Sequence, residues 1–168
     1  MELGGKGPCI IFNDANIDKA ASDVAGNGLV NAGQFCGAPT RIIVQDGVYD
    51  EFIDKLQVLY KARKPGYWKD EDTSMGPLIS QVQQDRVMGY INKGKKSAEL
   101  ICGGNKLDRD GFFVEPTIFG NCKPDIEIMC EEIFGPVTSV IKFSDAEEAL
   151  NIANNSDYGL VGAVYSKD

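Results

Sequence analysis

The 168-residue sequence contains no histidine, so any site that it builds lacks the side chain most often used as a base. A cysteine nucleophile has no histidine partner here, which excludes the papain-like and caspase-like mechanisms. Zinc would have to be bound by thiolates or carboxylates alone, and the five cysteines are widely spaced, without a CxxC pair. The sequence therefore predicts reduced thiols and no metal site.

Positive charge is also scarce, with 17 Lys and Arg against 25 Asp and Glu and a formal net charge of −8. Nucleic acid and anionic membranes both require a basic surface, so we expect neither as a partner. No apolar run is long enough to cross a membrane, and no basic-then-apolar leader opens the chain. We therefore expect a cytoplasmic protein, with an organelle matrix as the alternative.

Short β-branched runs alternate with segments of helical periodicity along the whole chain. Strands are predicted at residues 9–12, 41–44, 99–102, 137–143 and 160–166, with an extended segment at 112–120. Helices are predicted within residues 13–33, 48–60, 80–94 and 144–154. This alternation predicts an α/β fold in which a mainly parallel sheet is covered by helices on both faces.

Two local features of the prediction concern the end of the chain. The last helix is predicted to begin with a capping box between Ser144 and Glu147. Its predicted apolar face consists of Ala146, Ala149, Leu150 and Ala153. The strand at 160–166 is expected to be buried. The chain opens on a glycine turn and ends two residues after that strand, so we expect residues 1–168 to be one partial domain of a longer protein.

Cys36, in the segment LVNAGQFCGAPTR, is the candidate nucleophile. A single cysteine among small residues is more often a packed thiol than a reactive one. Taken alone, this segment leaves both interpretations open. Two further segments bear on the choice: MELGGK at 1–6 and EEIFGPV at 131–137.

Together, MELGGK, NAGQFC at 31–36 and EEIFGPV resemble the aldehyde dehydrogenase superfamily, in the same order and with 34 residues from Glu2 to Cys36. The resemblance covers essentially the whole chain, which would correspond to most of that family's catalytic domain. It implies that a Rossmann-like cofactor domain and a C-terminal segment lie outside residues 1–168.

The resemblance also implies a reaction. Cys36 would attack an aldehyde to form a thiohemiacetal, and hydride transfer to NAD or NADP would leave a thioester on the sulfur. Glu2 would activate the water that hydrolyses this thioester, so that a carboxylate does the work of the missing histidine. A glutamate at this position favours release of a free carboxylic acid over transfer of the acyl group to CoA.

Six further residues match cofactor-contacting positions of the family. Glu132 would bind the ribose hydroxyls of the nicotinamide half, since a carboxylate accepts hydrogen bonds from two hydroxyls at once. Phe134 would lie beside the nicotinamide ring. The other four positions, the last two of them matched more loosely, are Leu3, Gly4, Gln83 and Arg86. A lysine is common in the family where Arg86 stands.

For the full-length protein, the resemblance implies a small aldehyde as substrate and a homo-oligomer, a dimer or tetramer, as the assembly. Residues 1–168 alone are expected to be inactive in NAD-linked oxidation, because half of the cofactor site lies elsewhere. Two alternatives are a non-catalytic α/β assembly module with idle motifs and a thiol redox protein that uses Cys36. The redox alternative is weakened by the lack of a nearby resolving cysteine in the sequence, although Cys9 could approach in space.

Overall fold

The computed structural model describes all residues from 1 to 168. Six strands form one sheet: β1 (Pro8–Ile11), β2 (Arg41–Gln45), β3 (Glu99–Cys102), β4 (Thr117–Gly120), β5 (Val137–Phe143) and β6 (Ala163–Tyr165). The helices are α1 (Ile17–Gly28), α2 (Tyr49–Ala62), α3 (Gln81–Ser97), α4 (Glu127–Cys130) and α5 (Ala146–Asn154). Each predicted strand and helix therefore has an observed counterpart. No helix is both long enough and apolar enough to cross a membrane.

The order of strands in the sheet is β3-β4-β5-β2-β1-β6. Strand β3 is antiparallel to β4, and every other neighbouring pair is parallel. The predicted α/β fold with a mainly parallel sheet is thus confirmed, with one antiparallel strand at the edge. Strand β4 begins directly after Pro116. Proline has no backbone N–H to donate to a neighbouring strand, and here it lies outside the paired residues.

Helices cover both faces of the central strand β2, whose residues 42–44 are fully buried. On one face, the hydroxyl of Tyr60 in α2 is hydrogen-bonded to that of Thr138 in β5, at 2.6 Å. Arg41 is paired in register with Ser139, the next residue of β5, and therefore points to the opposite face. There its guanidinium reaches the end of α5.

Helix α5 begins one residue later than predicted. Asp145 is the N-cap, and its carboxylate accepts a hydrogen bond from the amide of Glu148. The carboxylate of Glu148 in turn accepts hydrogen bonds from the amide and hydroxyl of Ser144. The predicted Ser144–Glu147 box is wrong because Ser144 and Asp145 both favour caps, and tertiary packing chose between them.

The predicted apolar face of α5 is also partly wrong. Ala149 is buried as expected, but Leu150 is 56% exposed and Ala146 is exposed. Ile152, three residues after Ala149, takes the buried place because it lies on the same side of the helix.

The last strand is not buried as expected. Strand β6 has β1 as its one neighbour, and Val164 at its centre is 63% exposed. An edge strand is paired on one side only, and the Val164 face of β6 is left uncovered.

Candidate active site

Three distant segments meet at one edge of the sheet because each leads directly into a parallel strand. Residues 1–7 precede β1, residues 31–40 precede β2, and residues 131–136 precede β5. Since β5, β2 and β1 are parallel neighbours in that order, their amino ends lie side by side. The parallel topology therefore brings the three motifs of the sequence together. A fourth segment, residues 160–162, joins them because it leads into β6.

These segments line a cleft of about 590 Å³. Its lining residues are Met1, Glu2, Leu3, Gly4, Gln34, Phe35, Cys36, Glu132, Phe134 and Leu160. Six of the eight predicted site residues are therefore on one surface, from parts of the chain about 130 positions apart. No three His, Cys, Asp or Glu side chains come together as potential metal ligands.

The NAGQFC segment (31–36), here called the nucleophile segment because it carries the candidate nucleophile Cys36, contains a left-handed turn. Asn31, Ala32 and Gly33 all have positive φ, at 50°, 57° and 73°. Alanine is rarely found in this conformation, and the surrounding hydrogen bonds hold it there. The side chain of Gln34 donates to the carbonyl of Asn31 (2.8 Å) and accepts from the amide of Ile79 (2.9 Å). The turn thus presents Cys36, three residues after Gly33, at the cleft.

Glycine is required at position 33 for a second reason. A β-carbon there would collide with the carbonyl oxygen of Gly135, in the segment that follows Phe134. The nucleophile segment and the EEIFGPV segment are therefore packed backbone against backbone.

Cys36 differs from the other cysteines in its surroundings. All five are free thiols, and Cys36 is the exposed one, whereas Cys130 is half-buried. Burial raises the pKa of Cys9 and of Cys122 to about 12, and also raises the pKa of Cys102. Cys36 is therefore not a packed core thiol, and Cys9 in β1 is poorly suited to resolve a disulfide with it.

The amide of Cys36 donates no backbone hydrogen bond within the chain. This N–H is therefore free to donate to an oxygen bound beside the sulfur.

Glu132 joins the EEIFGPV segment to the MELGGK segment. Its Oε1 accepts a hydrogen bond from the amide of Gly5, at 2.9 Å. Its Oε2 lies so close to Gly4 that a β-carbon on Gly4 would be 2.8 Å away. Glu2 and Leu3 precede this contact and are exposed to the cleft. The carboxylate of Glu132 therefore fixes the turn that carries Glu2.

Gln83 and Arg86 are placed on α3 behind the EEIFGPV segment and do not line the cleft. The side-chain amide of Gln83 donates to the carbonyl of Phe134 at 2.7 Å, and Arg86 donates to the carbonyl of Glu132 at 2.7 Å. Phe134 itself has a positive φ of 57°. In this structure, the two α3 side chains hold the backbone of the EEIFGPV segment.

Lys6 is a buried polar residue that the sequence analysis did not single out. It is 1% exposed, and its Nζ has no hydrogen-bond partner within the chain. Burial, with the nearby guanidinium of Arg41 as the second cause, lowers the pKa of Lys6 to about 7. Its position inside the MELGGK motif was the signal that could have drawn attention to it.

Three further residues line the cleft without having been predicted from the sequence: Gln34, Phe35 and Leu160. Gln34 and Phe35 lie within NAGQFC and could have been included with Cys36. Leu160 carries no local signal, because it reaches the cleft only through the pairing of β6 with β1.

A model of the aldehyde dehydrogenase family matches residues 1–168. The chain belongs to the aldehyde dehydrogenase family. The resemblance carried by the three motifs is thereby confirmed. The chain is 45% identical over its full length to an aldehyde dehydrogenase of Emericella nidulans and 44% identical to a mitochondrial aldehyde dehydrogenase of Leishmania tarentolae. It spans about a third (34%) of the length of these relatives.

Solved structures of the family superpose closely on the chain. The γ-glutamyl-γ-aminobutyraldehyde dehydrogenase of Burkholderia cenocepacia matches 99% of it with a TM-score of 0.95 and 44% identity, over 34% of that protein. The betaine aldehyde dehydrogenase of Staphylococcus aureus, solved in complex with NAD+, matches 99% with a TM-score of 0.95 and 43% identity, over 34% of its length. A 1-pyrroline-5-carboxylate dehydrogenase from Thermus with bound NAD matches 99% of the chain with a TM-score of 0.95 and 38% identity. The match covers 32% of that protein.

Proposed function

We propose that residues 1–168 are most of the catalytic domain of an NAD(P)-dependent aldehyde dehydrogenase that oxidises an aldehyde to a carboxylic acid. The observation that carries the proposal is the cleft in which Glu2, Cys36 and Glu132 meet. A thiol, a candidate base for water and a carboxylate suited to sugar hydroxyls are the groups that this oxidation requires.

Cys36 is the proposed nucleophile. In its thiolate form, Sγ adds to the aldehyde carbon, and the electron pair of the C=O bond moves to the oxygen. The free amide of Cys36 is one donor to that oxyanion, and removing one such donor typically costs about 10²–10³ in rate. Protonation of the oxygen gives a thiohemiacetal on Cys36.

The residues of the cleft fit the nicotinamide half of NAD or NADP. The carboxylate of Glu132 offers acceptors for two ribose hydroxyls, and the exposed side of Phe134 offers an apolar wall for a flat ring. Leu3 and Gly4 line the same cleft, and the absence of a side chain on Gly4 permits close approach. When bound, the cofactor would supply the acceptor for the hydride that leaves the thiohemiacetal carbon. The hydroxyl proton is lost to water, the C=O bond re-forms, and a thioester remains on Cys36. The NAD-bound structures to which the chain is similar support this assignment.

Glu2 is the proposed base for release of the product. Its carboxylate takes a proton from water, and the resulting hydroxide adds to the thioester carbonyl. The C–S bond then breaks, which returns the thiolate to Cys36 and releases the carboxylic acid. Because the acyl acceptor is water, Glu2 favours hydrolysis over transfer to CoA.

The remaining features of the proposal concern the full-length protein. The substrate is a small-molecule aldehyde, and the assembly is a homo-oligomer, a dimer or tetramer, in the cytoplasm or an organelle matrix. Residues 1–168 alone are expected to give little NAD-linked turnover, because the cleft supplies contacts for one half of the cofactor.

The test is single-turnover kinetics of the full-length protein with a small aldehyde and NAD or NADP. We expect Cys36→Ser to abolish formation of reduced cofactor, and Glu2→Gln to retain one turnover but to stop hydrolysis. Cys130→Ser, which removes a half-buried thiol outside the cleft, is the matched control and retains full activity. Wild-type turnover in Cys36→Ser would refute Cys36 as the nucleophile, and the absence of any turnover in the wild-type protein would favour the non-catalytic alternative.

A further inference from the structure

Arg41 is a buried cation without a carboxylate partner. Arg41 is 2% exposed, and its guanidinium donates hydrogen bonds to four backbone carbonyl oxygens. The acceptors, with their distances, are Lys6 O (3.1 Å), Ile152 O (3.0 Å), Asn155 O (3.3 Å) and Ala153 O (2.8 Å). A buried charge is costly unless its donors are satisfied, so this set of bonds is what allows an arginine at the start of β2.

The four carbonyls belong to two separate segments. Lys6 lies at the end of the MELGGK turn, four residues after Glu2. The other three carbonyls are at the carboxyl end of α5 or just after it, where backbone oxygens carry partial negative charge; of these, Ile152 O also accepts from the amide of Asn155. One guanidinium therefore ties the turn of the proposed base to the end of α5.

Each of these segments is continuous with a wall of the cleft: residues of the MELGGK turn line it directly, and the lining residue Leu160 follows Asn155 by five positions. After α5, the chain runs to Leu160, whose side chain packs against Gly5 and lines the cleft. Arg41 itself follows Cys36 by five residues on the segment that enters β2. The Arg41 side chain thus connects the turn that carries Glu2, the segment that leads from α5 to Leu160, and the nucleophile segment.

We infer that Arg41 is a positioning residue for the proposed reaction: it sets the distance of Glu2 and of the Leu160 wall from Cys36. This inference rests on the proposed function. The planar fork of arginine holds the Lys6 carbonyl through Nε and the α5 carbonyls through its two terminal nitrogens at the same time. A lysine has one nitrogen and cannot make both sets of bonds.

Acylation of Cys36 and hydrolysis of the thioester depend differently on the position of Glu2. Attack by Cys36 needs the thiol and the substrate, both placed by the nucleophile segment. Hydrolysis also needs Glu2 at a fixed place, and Glu2 is joined to Cys36 through the Lys6 carbonyl and Arg41. Loss of the Arg41 bonds therefore slows hydrolysis more than acylation.

The test is Arg41→Lys in the full-length enzyme, with rapid mixing to separate the first turnover from the steady state. We expect thioester hydrolysis to slow by about 10- to 100-fold, since displacement of a catalytic group by about 1 Å has this effect, with the first-turnover rate within about threefold of wild type. Arg41→Gln, which keeps a nitrogen donor without the charge, is the second variant and is expected to show the same division.

Tyr60→Phe is the matched control. It removes a buried hydrogen bond to Thr138 on the opposite face of the sheet and leaves the cleft untouched. We expect it to lower stability without changing the ratio of hydrolysis to acylation. If both Arg41 variants slow the two steps equally, or neither, Arg41 is a structural residue and the inference is overturned.

Hydrogen exchange separates this inference from the proposed function. The amide of Gly5 donates a hydrogen bond to Glu132 in the wild type. In Arg41→Lys, this amide and the amides of residues 155–162 are expected to exchange faster than in the wild type, whereas Tyr60→Phe leaves their exchange rates unchanged. If these amides exchange faster in Arg41→Lys and the wild-type protein oxidises no aldehyde, the proposed function is refuted and the structural link is kept. Unchanged exchange would overturn the link itself, whatever the enzyme does.

Discussion

Replacement of Lys6 by methionine is expected to stabilise the folded chain. The amine of Lys6 is buried without a hydrogen-bond partner, beside the guanidinium of Arg41. Other ionisable groups that face it, Cys122, Cys130 and Glu132, favour its charged form but do not offset burial. Methionine fills a similar space with a flexible apolar chain and removes the charge.

The magnitude follows from the pKa of Lys6, which burial lowers from 10.5 to about 7. Each pH unit between the unfolded and folded pKa values corresponds to about 1.4 kcal/mol, so protonated Lys6 costs up to about 5 kcal/mol of folding free energy. The unfolded chain binds this proton up to pH 10.5, and the folded chain only up to about pH 7. The penalty is therefore complete below pH 7 and falls as the pH rises toward 10.5.

The assay is chemical unfolding at several pH values between 6 and 9, followed by circular dichroism. We expect the wild type to gain stability relative to Lys6→Met with a slope that approaches about 1.4 kcal/mol per pH unit above pH 7. Higher pH is avoided because burial raises the pKa values of Cys9 and Cys122 from 9.0 to about 12. Above pH 9 these thiols therefore make the folded chain less stable as the pH rises, which opposes the effect of Lys6. Lys106→Met, at an exposed lysine, is the control for loss of one positive charge.

Two results would contradict this reasoning. One is a Lys6→Met variant that is less stable than wild type at pH 7, which would mean that the amine has a strong partner in solution. The other is an equal pH slope in wild type and variant, which would mean that Lys6 keeps an ordinary pKa in the folded chain.

Two further predictions concern the nucleophile segment. Limiting iodoacetamide across a pH series, with each cysteine quantified by mass spectrometry, is expected to label Cys36 first and the buried Cys9 and Cys122 last; faster labelling of either buried thiol would contradict the structure. Gly33→Ala is expected to lower the midpoint of thermal unfolding by at least about 2–8 °C, since an alanine at positive φ costs about 1–2 kcal/mol before its collision with Gly135 is counted. Gly26→Ala, at an open position of α1, is the control and is expected to raise the midpoint slightly.

Local pattern was sufficient to predict most of the secondary structure. The strand RIIV is β-branched and bounded by turns, and the face of α1 from Ile17 to Gly28 follows helical spacing, so each is specified by its own residues. The errors lie where local signals are balanced. Ser144 and Asp145 are both good caps, and only the packing of Ile152 against the sheet decides which one begins α5. Strand β6 was expected to be buried because its apolar residues do not reveal how many neighbours it has.

The candidate site divides in the same way. The candidates Glu2, Cys36 and Glu132 could be chosen from the sequence because each lies in a short motif whose residue types and order resemble the family. Gln83 and Arg86 were singled out as cofactor contacts, whereas the structure places them behind Glu132 and Phe134, bonded to the backbone. A motif names a side chain, but it does not say whether that side chain points into a cleft or away from it.

The family, the alternation of strands and helices, and the chemical groups available for reaction follow from local runs of residues. The fold brings the three motifs together, because the order β5-β2-β1 aligns the amino ends of strands that are far apart in the chain. It also decided that Lys6 and Arg41 are buried together and that Leu160 reaches the cleft. Pairing between distant strands depends on the whole core, and no local run of residues records it.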